Sequence, residues 1–249
     1  WADMVKFART GGEANSIAVR IARATSGKDK IAICGYHGWH DWYIAANLKK
    51  KDSLNEHLLP GLNPLGVPKG LKNTIFTFNY NNFEQLKKIV NENKDLAAIK
   101  LEPQRNELPK NDFLKKVRKL AKEKKIILII DECTSGFRET LGGLHQKFNI
   151  KPDIAIYGKA VANGFPLTAI VGRREIMESA EKTFISSTFW SDRIGPVAAL
   201  ETLKLMEQIE SWKIITETGK IIKKRWKEIA KNNGINGFEV VASIRGKRG

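Results

Sequence analysis

Ile126-Ile127-Leu128-Ile129-Ile130 is an unbroken aliphatic run that stops abruptly at Asp131-Glu132. It is too short for a typical helix and apolar at every position, the pattern of a strand buried on both faces in the middle of a parallel sheet. A second run, Asp153-Ile154-Ala155-Ile156-Tyr157, ends at Gly158-Lys159 and leads into the loop Ala162-Asn163-Gly164-Phe165-Pro166. Ligands of open α/β sheets sit beyond the carboxyl ends of the strands. Two such strands would bring an acid, Asp131, and an amine, Lys159, to one edge of one sheet.

Shorter apolar runs flank this pair. Lys30 to Cys34, Thr74 to Phe78, Ala97 to Leu101 and Leu167 to Gly172 read as further strands. Helical spacing fills the intervals: Ala14, Ile17, Ala18, Ile21 and Ala22 after Thr10-Gly11-Gly12; Phe83, Leu86, Ile89 and Val90; and Leu114, Val117, Leu120 and Ala121 in a helix over 112–124. Two longer helices are predicted over 194–209 and 212–232, then a strand from Phe238 to Ile244. This alternation argues for a three-layer α/β/α fold with a mostly parallel sheet. Residues 42–73 are rich in proline and glycine, a long connection of the kind that lies over a site or a partner subunit.

The composition excludes several classes. At 42% hydrophobic residues the chain of 249 can bury a sizeable core. It has no apolar span of membrane length and no secretory leader, which predicts a soluble protein with no membrane partner. The two cysteines, Cys34 and Cys133, read as reduced thiols rather than a disulfide framework, and point to the cytoplasm. A formal charge of +16 raises a nucleic-acid partner. The lysines, however, alternate with glutamates and apolar residues along helix faces, as on solvated surfaces, and no nucleic-acid-reading motif accompanies them. No nucleic acid is therefore expected. His37, His40 and Asp41 lie close together, but three ligands from one loop rarely close a coordination sphere, and no metal is expected.

An amine and an acid at one sheet edge suit pyridoxal 5'-phosphate (PLP), which needs the first for its aldehyde and the second to keep its pyridine nitrogen protonated. A structural ion pair has the same spacing, so residue types alone leave both open. The glycine pair Gly11-Gly12 at a helix start exposes backbone N–H groups at the positive end of the helix dipole, which suits a phosphate.

The segment Asp131-Glu132-Cys133-Thr134-Ser135-Gly136-Phe137-Arg138, with Pro152-Asp153 and Gly158-Lys159, resembles the signature of the class III aminotransferases, the glutamate-1-semialdehyde 2,1-aminomutase-like family. The resemblance runs along nearly the whole chain and implies the PLP-dependent fold-type I architecture. It implies that Lys159 carries the cofactor as a Schiff base and that Asp131 pairs with the pyridine nitrogen. Gly11 and Gly12 match the family's phosphate turn, with glycine where a hydroxyl residue is usual, leaving backbone donors as the contacts. Tyr36, in Tyr36-His37-Gly38, matches the residue that stacks on the ring; the role of His37 stays undecided. Asn106 is preferred to Glu107 beside the phenolic oxygen, because an amide can donate to a phenolate and a carboxylate would repel it. Thr134 joins the cofactor-binding set. Thr188, with Ser187 in reserve, matches a threonine reaching a neighbouring subunit's phosphate, and so implies a homodimer with shared sites.

The function expected is amino transfer between an amine or amino-acid donor and a carbonyl acceptor. An aminomutase on the same scaffold, a PLP-independent Schiff-base aldolase and a basic non-enzymatic binding protein are the alternatives. The chain reads as a fragment lacking an N-terminal segment and most of a C-terminal domain. Residues 1–209 form the large cofactor-binding domain, and residues 210–249 a linking helix and the start of the next.

Overall fold

In the computed structural model the described residues are 1–58, 60–105 and 107–235. The strand expected from Phe238 to Ile244, and Asn106, lie outside them. In chain order the elements are β1 (Met4–Ala8), α1 (Gly11–Ser26), β2 (Lys30–Cys34), α2 (Asp41–Ile44), β3 (Ile75–Thr77), α3 (Phe83–Glu92), β4 (Leu96–Leu101), α4 (Phe113–Glu123) and β5 (Ile127–Asp131). There follow β6 (Ile154–Tyr157), β7 (Thr168–Gly172), α5 (Arg174–Met177), α6 (Ile194–Ile209) and α7 (Ser211–Asn232).

The strands form one sheet in the order β1-β7-β6-β5-β4-β2-β3. β3, β2, β4, β5 and β6 run parallel, β7 pairs antiparallel with β6, and β1 pairs antiparallel with β7. The aliphatic run of β5 is central, as its sequence requires: Leu128 and Ile129 are fully buried and Ile130 nearly so. Burying each such side chain contributes about 1.5–3 kcal/mol relative to exposure. Period-2 alternation splits the core in two. Ile31, Ile33, Ile127, Ile129, Ile154 and Ile156 share a cluster with Ala14, Ile17, Ala18 and Ile21 of α1. Ala32, Ile99, Leu101, Leu128 and Ile130 face Leu86 and Val90 of α3 and Leu114, Val117 and Leu120 of α4. Helices thus cover both faces, giving the three layers expected.

β1 is an element the hydrophobic pattern does not announce. Val5 is half exposed, and the strand forms because β7 presents a free edge to it, Val5 lying opposite Val171 and Phe7 opposite Ala169.

α1 is the helix that aims at the strand ends, and its start is closed by side chains. Thr10 accepts a hydrogen bond from the Glu13 N–H, while Glu13 Oε2 accepts from the backbone N–H of Thr10 (2.8 Å) and of Arg9 (3.0 Å), a capping box. Gly27 ends the helix at φ +64. Thr10→Ala is expected to cost about 1 kcal/mol of stability, read as a lower urea midpoint at unchanged slope.

Lysines on the outer helices form solvated faces. Four of those on α3 and α4 pair with glutamate or aspartate three or four residues away, Lys87–Glu84, Lys88–Glu92, Lys115–Asp112 and Lys119–Glu123, all exposed. Among the described residues no helix is long and apolar enough to cross a membrane. α6 and α7 meet at Glu210, held at φ +49, and both leave apolar side chains exposed, among them Val197, Leu200, Ile221 and Trp226.

Candidate active site

Strands β2, β4, β5 and β6 are neighbours in the sheet, so their carboxyl ends line one edge. β5 delivers Asp131, which is nearly fully buried. Its Oδ2 accepts a hydrogen bond from His37 Nδ1 (2.8 Å) and its Oδ1 accepts from the Cys133 backbone N–H (3.1 Å). Burial by itself would raise the Asp131 carboxyl's pKa. The Lys100 ammonium, the His37 hydrogen bond and the Cys133 N–H more than offset that and hold it well below the usual carboxylate range. For His37, burial first and then the nearby Lys100 charge push the pKa down to about 4, so the imidazole is neutral and its Nδ1 carries the donated proton. The role left undecided in the sequence is now defined: His37 anchors and orients the Asp131 carboxylate.

The turn after β2 explains how His37 gets there. Gly35 adopts φ +112, and a β-carbon on it would lie 2.5 Å from Glu102 Oε2. The absence of a side chain lets the turn close on Glu102, which accepts from the Tyr36 N–H at 3.0 Å and pairs with Arg105. From below, His57 Nδ1 accepts the Gly35 N–H at 3.2 Å, so the long connection over 42–73 supports the site from within the fold. Burial lowers the pKa of His57 to about 4, which keeps that nitrogen a bare acceptor. Tyr36 emerges half-buried, its ring edge-on to Tyr43 with centroids 6.2 Å apart.

At the start of α1, the capping box uses the N–H groups of Thr10 and Glu13, and the helix ladder begins with Ala14 bonding to the Thr10 carbonyl. Gly11 and Gly12 are the two first-turn donors left over. A β-carbon on Gly12 would lie 3.0 Å from His40 Nε2, and one on Gly38, itself at φ +100, would lie 3.0 Å from the Gly12 Cα. This close approach of two backbones forms a cradle that side chains would fill. His40 is tied by Nδ1 to Ser16 Oγ (2.8 Å), a different partner from that of His37. Among the described residues no cluster of three histidine, cysteine, aspartate or glutamate side chains is placed to hold a metal.

Lys159 follows β6 on a short turn at φ +49, and its Nζ donates to Thr134 Oγ1 at 3.0 Å. Unlike the nearly fully buried Asp131, Lys159 is exposed. The strand ends at Tyr157, and the turn lifts the lysine to the rim of a cleft of about 500 Å³ lined also by Gly11, Arg138, Phe165 and Thr168. Lys159 and Asp131 form no ion pair with each other: the amine bonds to Thr134 and the carboxylate to His37.

Cys133 joins these parts. Its Sγ lies 3.5 Å from where a β-carbon of Gly11 would be and 3.3 Å from that of Gly158, and its backbone holds Asp131. Burial and the Asp131 charge keep it a thiol, with its pKa well above the ordinary value, while the Lys159 charge acts on it from the other side. The helix donors, the acid and the amine therefore surround one small uncharged side chain. An aromatic ring bearing a phosphate, a ring nitrogen and an aldehyde needs those three groups around it, and the residues present fit such a group.

The remaining site residues are not gathered in. Thr188 and Ser187 are exposed on the turn over 186–191. Asn106 lies outside the described residues, and Glu107, its rival, is exposed with its carboxylate bonded to Lys110 (3.0 Å) and Asn81 (3.3 Å). Sequence reasoning passed over Lys100, His57 and the part played by Cys133. Lys100 carried a legible signal: a lysine inside the apolar run Ala97 to Leu101, one residue before its end.

Comparison with known proteins agrees with this geometry. The family profile described as aminotransferase class-III matches residues 1–249. The 3-aminobutyryl-CoA aminotransferase of Cloacimonas acidaminovorans is 35% identical over 241 residues, 94% of this chain and 54% of the relative. The glutamate-1-semialdehyde 2,1-aminomutase of Methanocaldococcus jannaschii is 35% identical over 244 residues, 94% of this chain and 56% of the relative. The chain thus spans about half the length of the curated relatives it matches. Among solved structures, an omega-transaminase from Sphaerobacter thermophilus superposes with a TM-score of 0.81 at 22% identity, over 98% of this chain and 60% of that one. The FumI protein of Sphingopyxis sp. MTA144 does so with a TM-score of 0.81 at 24% identity, over 94% and 54%. The fold is that of the PLP-dependent transferases, and with the profile spanning the whole sequence and relatives of both activities at this identity, the chain belongs to the class III aminotransferase family.

Proposed function

We propose that the protein is a pyridoxal-phosphate-dependent aminotransferase that moves an amino group between an amine or amino-acid donor and a carbonyl acceptor. The observation that carries this reading is the convergence on Cys133 of Asp131, Gly11 and the Gly158-Lys159 turn. Bound there, the cofactor supplies an electron sink for the carbanion formed at the substrate carbon. The chain's own residues do the rest. The N–H groups of Gly11 and Gly12 would hold the phosphate at the positive end of α1. Asp131, held ionised and oriented by His37, would hold the ring N–H. Lys159 would hold the cofactor through its amine and, when that amine is free, would take up and give back a proton at Nζ. Thr134 gives that amine an acceptor and a direction. Tyr36 offers an aromatic face to the ring.

The proposal extends to organisation. Residues 1–209 form the cofactor-binding domain, and the left-handed break at Glu210 supports a boundary between that domain and α7. A homodimer, in which Thr188 reaches the neighbour's phosphate, is supported by the exposure of Thr188 and of the apolar faces of α6 and α7. Free Cys34 and Cys133 support a reducing, cytoplasmic setting.

The relatives also support a second reading, a 2,1-aminomutase moving the amino group within one molecule. Spectroscopy tests the first step common to both. The protein loaded with pyridoxal phosphate should show a visible absorption band that bleaches on adding a suitable amine and returns on adding a keto acid. Absence of any band on loading would sink the proposal. Product formation without an added acceptor would select the mutase.

A further inference from the structure

We infer that Lys100 is a positioning residue for the cofactor's ring: its buried ammonium holds the Asp131 carboxylate in place while weakening that carboxylate's hold on the ring-nitrogen proton. The inference rests on the reading of Asp131 as the ring's partner. Lys100 is fully buried, and among the described residues its Nζ has no hydrogen-bond partner. Lysine is almost never buried in this state without a counter-charge. Sheet register gives its direction. Lys100 lies opposite Ile129 on β5 and Ile33 on β2, so it shares their face, the one covered by α1, and Asp131 follows on that same face two residues beyond Ile129.

Of the two carboxylates whose charge acts on Lys100, Asp131 has the larger effect and Glu102 the smaller. The side chains of α1 buried on that face, Ala14, Asn15, Ile17, Ala18 and Ile21, carry none. His37 is neutral and Cys133 is a thiol, both as a result of burial. Glu102, at the end of β4, pairs with Arg105 and accepts the Tyr36 N–H. Asp131 is therefore the main charge balancing Lys100, across a gap with no direct hydrogen bond. A protonated ring docking on Asp131 makes two cations share one buried carboxylate. Each then weakens the other's hold, and the effect lasts only while Lys100 is charged. Burial brings its pKa down to about 8, so that charge is lost slightly above neutrality.

Pyridoxamine 5'-phosphate tests this, because it carries the ring and phosphate but has no aldehyde to engage Lys159. Its Kd for the intact protein and for Lys100→Met would be measured by calorimetry across pH. The methionine, unbranched and of similar length, should bind about tenfold more tightly at neutral pH, equivalent to about one pKa unit on the ring nitrogen. The ratio should approach one as pH rises past Lys100's pKa of about 8. Equal affinities at neutral pH, or a ratio that does not change with pH, would overturn the inference. If the methionine variant lacks a cooperative melt, wild-type heats in two buffers of different ionisation enthalpy decide instead. Proton release on binding at neutral pH supports the inference, and none overturns it. Should the wild type fail to bind the probe at all, the reading of the site fails and takes this inference with it.

Discussion

Lys159→Ala in the intact protein should lose amino transfer by about a thousandfold or more, since one amine serves both as the attachment point and as the proton carrier. The fold should be untouched. Lys159 is exposed, its one hydrogen bond runs to Thr134, and alanine carries the same β-carbon into the left-handed turn. The variant should therefore melt with the wild type and still retain the cofactor through Gly11, Gly12 and Asp131, released on dialysis rather than held covalently. Substantial amino transfer by this variant, measured by keto-acid formation, would remove Lys159 from the mechanism.

Asp131→Ala should fail differently, in chemistry and in stability together. From the sequence alone, losing the acid should weaken the chemistry more than the fold. In the structure it bonds to His37, receives the Cys133 N–H and lies near enough for its charge to act on Lys100. Removing one member of a buried charge pair typically costs about 3–5 kcal/mol. Lys100 can shed its proton, which moves the cost toward the lower end of that range. Adding Lys100→Met to Asp131→Ala should then recover most of the lost stability but none of the activity, a coupling of more than about 1 kcal/mol in a double-mutant cycle. Denaturant titrations of the four proteins measure it, and strict additivity would rule out the pairing. The pH dependence has a definite sign. The folded carboxyl titrates below its unfolded value of 3.8, so its contribution is complete above that pH and is lost only as acid carries it through the folded pKa. Between about pH 5 and 7 the wild type should therefore show no loss of stability from this group.

The legible parts of this protein were those written in contiguous residues. β5 and β6, the helices between the strands and the carboxylate at the end of β5 follow from apolar runs and their period. The Thr10-Gly11-Gly12-Glu13 start of α1 shows its cap in four letters. β1 was not legible because its stability comes from an edge that β7 supplies, more than 150 residues away along the chain.

By itself, then, the sequence determined the layers of the fold, the family and which acid and amine stand at strand ends, because hydrophobic period and short-range motifs act between neighbours along the chain. Only the tertiary structure decided what surrounds them: His37 turned onto Asp131, Lys100 enclosed with no hydrogen-bond partner among the described residues, Cys133 between helix start and lysine turn. Those contacts depend on the order of strands in the sheet, which sets β2, β4, β5 and β6 side by side. Burial then converts proximity into altered charge, since a low-dielectric interior strengthens every unscreened interaction within it.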